Sequence, residues 1–295
     1  MKLYGAIDIG SNAARLLICE VYEEQGEKFY KKRSLVRVPL RLGEEVFEFG
    51  YIPPKKEEDI LKSMKAYKNL LDVNGVTDFK AVATSAMRDA RNGQEIVERV
   101  KQESQIDIEI INGKIEAKLL YSTHFEALLD PNKSYVYIDV GGGSTEVSIF
   151  SKGDLKNIRS FNIGTIRLLK DYVAQEQWKE MRHWIEINTE GLSGIEGIGS
   201  GGNINKLYKL NGSRPDMRIS LRELEKLYIE LEEYSYLERI TKLGMRGDRA
   251  DVILPATKIF KKIARWAKIK EIYVPKFGLS DGIIRMLAND LELSV

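Results

Sequence analysis

Cysteine is nearly missing from this chain: Cys19 is the single one in 295 residues, so no intrachain disulfide can form. That suits a reducing compartment, and a cytoplasmic location is expected. Histidine is almost as scarce. His124 and His183 are too few and too isolated to build a metal cluster, and surface or packing roles are expected for both. No apolar run approaches the roughly 20 residues that span a bilayer, so no membrane partner is expected. The opening MKLYGAIDIG enters a strand pattern directly, and no targeting segment is expected there. Charge of one sign is not in excess either: 46 Lys and Arg face 44 Asp and Glu, a net +2, which argues against a nucleic-acid-binding polycation. A polyanionic ligand would have to be met by local basic clusters. Low-complexity segments and short-period repeats are lacking as well.

What is present is an ordinary globular composition, 43% hydrophobic and 31% charged, in a chain long enough for two α/β domains. Two distant stretches say the same thing. YGAIDIGSNAARLLI (4–18) and VYIDVGGGSTEVSIF (136–150) each read as an apolar strand, an acid, a Gly-rich turn, a hydroxyl residue and a second strand. A Gly-tipped turn lets backbone N–H groups close on an anion. Two such turns, each beside an Asp (Asp8, Asp139), point to a phosphate chain gripped from both sides. Ordinary hairpin turns explain either loop alone but explain the pair poorly.

The order of elements also restarts. Strands at 3–9, 14–22 and 28–38 precede an amphipathic helix over 55–72, whose Ile60, Met64, Tyr67 and Leu71 share one face behind Pro53 and Pro54. A strand at 79–84, a helix around 93–104, a strand at 106–111 and a helix from about 114 to 129 follow. Pro131-Asn132-Lys133 is the most turn-like break, and beyond it the strand–strand–strand–helix order returns. Ser160–Leu169 reads as the third strand leading into a helix. Helices are expected at 175–190, from Ser220 with Glu223 as a capping box, over 249–267 and over 278–290, with a strand at 271–275. The cleft between two copies of one α/β unit is the natural ligand site.

Asp139 and Glu146 stand seven residues apart across the triple glycine, so they can face each other from the two arms of the hairpin. Carboxylates with phosphate oxygens and water suit Mg²⁺. Their bland readings are a turn-forming Asp and an exposed strand Glu. Ser11, Asn12, Gly141, Gly142, Gly143 and Ser144 are the candidate donors to phosphate oxygens. Arg88 suits a guanidinium fork on a phosphate, whereas Arg91 reads as a solvated helix-start charge and Arg15 equally as an exposed strand residue. Lys31-Lys32-Arg33 and Lys261-Lys262 read as solvated faces, with a polyanion track as the sharper alternative. Cys19, in an apolar strand, reads as core rather than nucleophile.

These motifs together resemble the exopolyphosphatase and guanosine-pentaphosphate phosphohydrolase family of the actin/Hsp70/sugar-kinase superfamily, over nearly the whole chain. DIGSN (8–12) and DVGGGSTE (139–146) look like the two phosphate loops of that superfamily. GIGSGGN (197–203) falls where its nucleotide-base motif is expected, and GLSDGIIR (278–285) resembles the closing helix. TSAMRDARN (84–92) and INGKIEAKLLY (111–121) are specific to the phosphatases. The resemblance implies an α/β fold of duplicated actin-like (ribonuclease H-like) ATPase domains flanking a central cleft. Domain I is expected at 1–129 and domain II at 130–295, with a C-terminal helix able to pack across the cleft. It implies Glu116 as the glutamate that activates water, where a helix-dipole role is the bland reading, and Arg88 as its catalytic companion. It implies Mg²⁺ at Asp139 and Glu146, with Asp8 as a third, pseudo-symmetric acid, and phosphate contacts at Gly201 and Gly202. The expected partners are polyphosphate or a guanosine-pentaphosphate-type substrate and a second copy of the chain, with no nucleic acid.

Three positions depart from the family pattern. Ile115 replaces an acid before the catalytic Glu, Asn112 stands where Ser is common, and Asn203 stands where Thr closes the third Gly-rich loop. The chain resembles the short two-domain members. The expected activity is hydrolysis of a terminal phosphoanhydride; a small-molecule kinase and a non-catalytic sensor of guanosine tetra- or pentaphosphate are the alternatives.

Overall fold

The computed structural model describes residues 1–121, 130 and 132–291. His124 and the expected continuation of a helix to 129 lie outside them. The described elements, in chain order, are β1 (Lys2–Ile9), β2 (Ala14–Glu24), β3 (Glu27–Val38), α1 (Leu42–Phe49), α2 (Pro54–Val73), β4 (Asp78–Ala83), α3 (Ser85–Asp89), α4 (Gly93–Ser104), β5 (Ile108–Ile110) and α5 (Gly113–Tyr121). Then come β6 (Ser134–Val140), β7 (Thr145–Ser151), β8 (Asp154–Phe161), α6 (Thr165–Leu169), α7 (Gln175–Thr189), β9 (Glu196–Ser200), α8 (Gly202–Leu210), β10 (Arg218–Ser220) and α9 (Leu221–Glu233). The last are α10 (Tyr236–Thr241), α11 (Gly247–Ala250), α12 (Ile253–Trp266), β11 (Glu271–Tyr273) and α13 (Leu279–Ala288).

Two compact units result, one built from β1 through α5 plus α13, the other from β6 through β11. In the first, the sheet order is β3-β2-β1-β4-β5. In the second it is β8-β7-β6-β9-β11-β10, the same order with β10 added at the edge. The duplication expected from the two Gly-rich loops is therefore carried by the topology. In both units an antiparallel hairpin continues into parallel strands, β1 with β4 and β5, and β6 with β9 and β11. Parallel strands deliver their C-terminal ends to one edge, where ligands of open α/β sheets bind.

The apolar stripes do the assembling. In the first unit Ile60, Leu61, Met64, Tyr67 and Leu71 of α2 are buried with Ile7, Ile9, Leu16 and Ile18 of the sheet. Pro53 and Pro54 start that helix, where a missing N–H costs nothing. In the second unit the capping box Ser220/Glu223 starts α9, whose Leu224, Leu227 and Leu231 join the core around Ile259, Phe260 and Ile263 of α12.

Two expectations change. The helix expected over 249–267 is broken at Asp251–Val252, between α11 and α12. Pro255 explains it: proline fits only the first turn of a helix, so α12 has to begin just before it. The terminal segment does not extend the second unit. Its helix α13 packs on β1, β2, β4 and α5, so it groups with the first.

Candidate active site

The two hairpin tips are closed the same way. Gly10 N–H donates to the Ala13 carbonyl at 3.1 Å, and Gly141 N–H to the Ser144 carbonyl at 2.9 Å. The next carbonyls of each loop are turned back into the protein. Ser11 and Asn12 accept from the Gly43 and Arg41 amides at the start of α1, at 2.9 and 3.0 Å. Gly141 and Gly142 accept from the Thr165 and Ile166 amides at the start of α6, at 3.0 and 2.8 Å. In a trans peptide the N–H of the following residue points opposite to the carbonyl. The Asn12 and Ala13 amides of the first loop, and those of Gly142 and Gly143 in the second, are thereby aimed away from the helices behind them. That is the polarity an anion requires.

Register then makes the two loops unequal. Asp8 pairs across the first hairpin with Arg15, and its carboxylate accepts from the guanidinium at 2.7 Å. Asp139 pairs at the equivalent place with Glu146. Directly opposite residues lie on the same sheet face, with Cβ atoms about 5 Å apart. The row continues on both sides, since Asp139 is in register with Ser200 and Glu146 with Ser160. Ser160 Oγ donates to Glu146 Oε1 at 2.7 Å, and Glu146 is buried. Ser200 Oγ is buried without a protein partner. One hairpin thus sets an acid against a base, and the other sets two carboxylates side by side between two hydroxyls. Adjacent carboxylates disfavour joint ionisation unless a cation lies with them.

This donor set fits Mg²⁺. The ion takes hard oxygen ligands, commonly one or two carboxylates completed by water and phosphate. Among the described residues no group of three or more His, Cys, Asp or Glu is placed to hold a metal. Asp139 and Glu146 are two carboxylates facing each other across the second hairpin. Asp8, expected as the third acid, is held by Arg15 instead, and Arg15 is not the plain exposed strand residue that was the alternative reading.

In the first unit a continuous chain of contacts joins the remaining candidates. The Ser11 and Ser85 hydroxyls meet at 2.8 Å, tying the first loop to α3, which carries Arg88. Arg88 Nη1 donates to the Ile111 carbonyl at 2.9 Å. The next residue, Asn112, caps α5: its Oδ1 accepts from the Lys114 and Ile115 amides at 2.9 and 3.0 Å. Asn in place of Ser therefore keeps the cap, because both are strong N-cap residues. Glu116 follows in the first turn, only 9% exposed. Ile115, in place of an acid, is buried. Arg88 thus spends one donor on holding the entry to the Glu116 helix, and a guanidinium has others left.

In the second unit Gly201, at φ 91°, stands against Asp139; a Cβ there would lie 2.9 Å from Asp139 Oδ1. Gly202 lies under the Arg249 guanidinium, and Asn203 sits in the first turn of α8. These glycines allow close approach of Asp139 and Arg249 to the loop. Ser160, Ser200, Ser85, Arg249 and Arg167, whose Nε holds the Gly143 carbonyl at 2.8 Å, were not found by sequence reasoning. Cross-strand register and loop packing bring them in, and neither leaves a local motif.

Several other readings are resolved. Arg91 is exposed, as expected, and donates to the Phe49 carbonyl at 3.1 Å. Lys32 pairs with Asp281 at 2.7 Å, while Arg33 lies 3.7 Å from Glu20. Lys261 lies over the Tyr228 ring at 3.7 Å and Lys262 over Trp178 at 5.0 Å, so both are packed rather than solvated. His183 is exposed on α7. Cys19 is buried in β2, and burial followed by the nearby Asp281 charge pushes its thiol up to about 11.

The fold and the loops define a class of α/β protein with two like sheets, each carrying a Gly-rich hairpin. The model of the Ppx/GppA phosphatase family matches residues 33–290, and the chain belongs to that family. It is 21% identical to exopolyphosphatase 1 of Mycobacterium bovis, over 95% of this chain and 86% of that protein. It is 23% identical to a guanosine-5'-triphosphate,3'-diphosphate pyrophosphatase of Aeromonas salmonicida, over 96% of this chain and 58% of that one. It is 26% identical to a bifunctional 3-dehydroquinate synthase/phosphatase of Fusobacterium nucleatum, over 88% of this chain; the match spans 43% of that protein, less than half its length. A solved exopolyphosphatase from Cytophaga hutchinsonii superposes with a TM-score of 0.85 at 24% identity, covering 100% of both chains. No described helix is long and apolar enough to cross a membrane.

Proposed function

We propose that this protein is a Mg²⁺-dependent phosphoanhydride hydrolase that releases terminal orthophosphate from inorganic polyphosphate or guanosine pentaphosphate. The side-by-side Asp139 and Glu146 carboxylates, at the place where the sister hairpin holds a neutralised Asp8–Arg15 pair, carry this reading. Two carboxylates facing each other beside a Gly-rich loop suit a hard divalent cation that also takes phosphate oxygens. The relatives named exopolyphosphatase and guanosine-pentaphosphate pyrophosphatase support the same substrate classes.

In this reading the Asn12, Ala13, Gly142 and Gly143 amides and the Ser11 and Ser144 hydroxyls bind phosphate oxygens. Asp139 and Glu146 would hold Mg²⁺, which would supply charge neutralisation at those oxygens. Glu116 accepts a proton from water as the water oxygen bonds to the terminal phosphorus. The anhydride P–O bond breaks with its electron pair going to the bridging oxygen of the shortened chain, and orthophosphate is released. Arg88 stabilises the charge that builds on the transferred group.

The test is orthophosphate release in Mg²⁺ from short polyphosphate, long polyphosphate and guanosine pentaphosphate. Release that is abolished in Asp139→Asn is expected. Tight binding without turnover would make the protein a sensor, and transfer from ATP to an acceptor faster than hydrolysis would make it a kinase; either result overturns the proposal.

A further inference from the structure

The closing helix α13 makes no phosphate contact in the reading above, yet it touches the helix that carries Glu116. Gly282 of α13 faces the α5 backbone so closely that a Cβ there would lie 1.9 Å from the Leu119 carbonyl oxygen and 2.6 Å from its carbon. Nothing larger than a hydrogen fits at that point. Leu119 follows Glu116 by three residues, one turn along the same helix. Backbone rather than a flexible side chain fills the space, so neither partner can give way locally.

The helix α13 is itself fixed. Lys32 of β3 pairs with Asp281 in its first turn at 2.7 Å. Lys28 of β3 donates to the Ala288 carbonyl at its last turn and to Asn289 Oδ1 at 3.1 Å. Between them the Arg285 guanidinium lies 4.2 Å from the centre of the Tyr30 ring, also on β3. Asp281 Oδ2 in addition accepts from the Gly278 amide at 3.0 Å, which closes the helix start. The basic residues of β3 thus clamp α13 along its length, and the clamped helix is a wall for α5.

We propose that Gly282 is a positioning residue for Glu116: the bare backbone of α13 at this position sets the depth of α5, and with it the place of the carboxylate. The inference rests on the proposed role of Glu116 as the group that orients water. Any side chain at 282 has to push α5 and α13 apart by at least about 1 Å, and by about 1.5 Å to reach ordinary van der Waals contact. A displacement of that size at a group acting on the reacting water is worth about 100-fold in rate.

The experiment is a double-mutant cycle read by kcat and KM on polyphosphate, with circular dichroism as the check on folding. Gly282→Ala alone is expected to lower kcat about 100-fold and to leave KM within about threefold. In a Glu116→Gln background the same change is expected to cost less than about threefold, because the group it misplaces is already gone. Full kcat in folded Gly282→Ala, or an undiminished loss in the Glu116→Gln background, overturns the inference. Should Gly282→Ala not fold, Lys32→Glu sets two acids against each other at the start of α13 from an exposed position. It is expected to lower kcat with the same non-additivity toward Glu116→Gln, and unchanged kcat overturns the inference. The two layers separate cleanly: Glu116→Gln at wild-type rate sinks the role that the proposed function gives to Glu116, whereas a slowed but measurable Glu116→Gln with an additive Gly282→Ala sinks this inference alone.

Discussion

Removing the Ser160 hydroxyl tests the two-carboxylate site without touching either carboxylate. Ser160 Oγ donates to Glu146 Oε1 at 2.7 Å, a charge-assisted bond to a buried acceptor. Such a bond contributes about 1.5–3 kcal/mol, equivalent to roughly 10- to 150-fold in an equilibrium it favours. If Glu146 binds the ion, its orientation and charge both depend on this donor, and loss of a partner of a metal ligand typically costs about 10–100-fold in metal affinity. Ser160→Ala should therefore raise the Kd for Mn²⁺, used as a probe for Mg²⁺, by at least about 10-fold. The measurement is electron paramagnetic resonance or calorimetric titration of the protein with the metal alone, so no catalytic step enters the result. Ser160→Thr keeps the hydroxyl in a strand that favours branched residues, and it should bind as the wild type does. Identical Mn²⁺ affinity in Ser160→Ala and wild type would refute the reasoning, since Glu146 would then be bound to the sheet and not to an ion.

Two further outcomes follow from packing and burial. Gly164→Ala would place a Cβ 2.4 Å from the Gly142 carbonyl oxygen, so the second Gly-rich loop must shift; kcat/KM should fall about 100-fold while the fold is kept, and a variant with wild-type kcat/KM would contradict the proposed loop role. Cys19, with its thiol raised from 9.0 to about 11, should resist iodoacetamide at pH 8 in the native protein and react once unfolded. Because the folded state holds that proton more tightly, the thiol's contribution to stability is intact below pH 9 and is lost as pH rises toward 11. Labelling of native protein at the unfolded rate would show that Cys19 is not buried in solution.

The parts of the fold legible in the sequence are those written in local chemistry. The hairpins were marked by an acid and a glycine turn, α2 by its apolar stripe behind two prolines, and α9 by a capping box. The facing of Asp139 and Glu146 followed from their spacing around a tight turn, and the register confirms that they lie opposite each other. Ser160 was not readable, because a bulge between Ile149 and Phe150 shifts the β7–β8 register. Ser200 reaches Asp139 only through a parallel pairing with a strand some sixty residues further on. Arg15 was undecided because strand alternation gives its face but not the reach of its guanidinium to Asp8. The break before α12 is written in Pro255, but the apolar period runs through it unbroken and masks it. The grouping of α13 with the first unit depends on contacts made across the whole chain, and no local pattern encodes it.

The central claim is that Glu116 orients water for phosphoanhydride hydrolysis. Its most direct test is the initial rate of orthophosphate release from polyphosphate in Mg²⁺, compared between wild type and folded Glu116→Gln. General-base catalysis contributes about 10²–10⁴-fold, so the account predicts a loss of at least about 100-fold in kcat with KM little changed. Release by Glu116→Gln at the wild-type rate would contradict it.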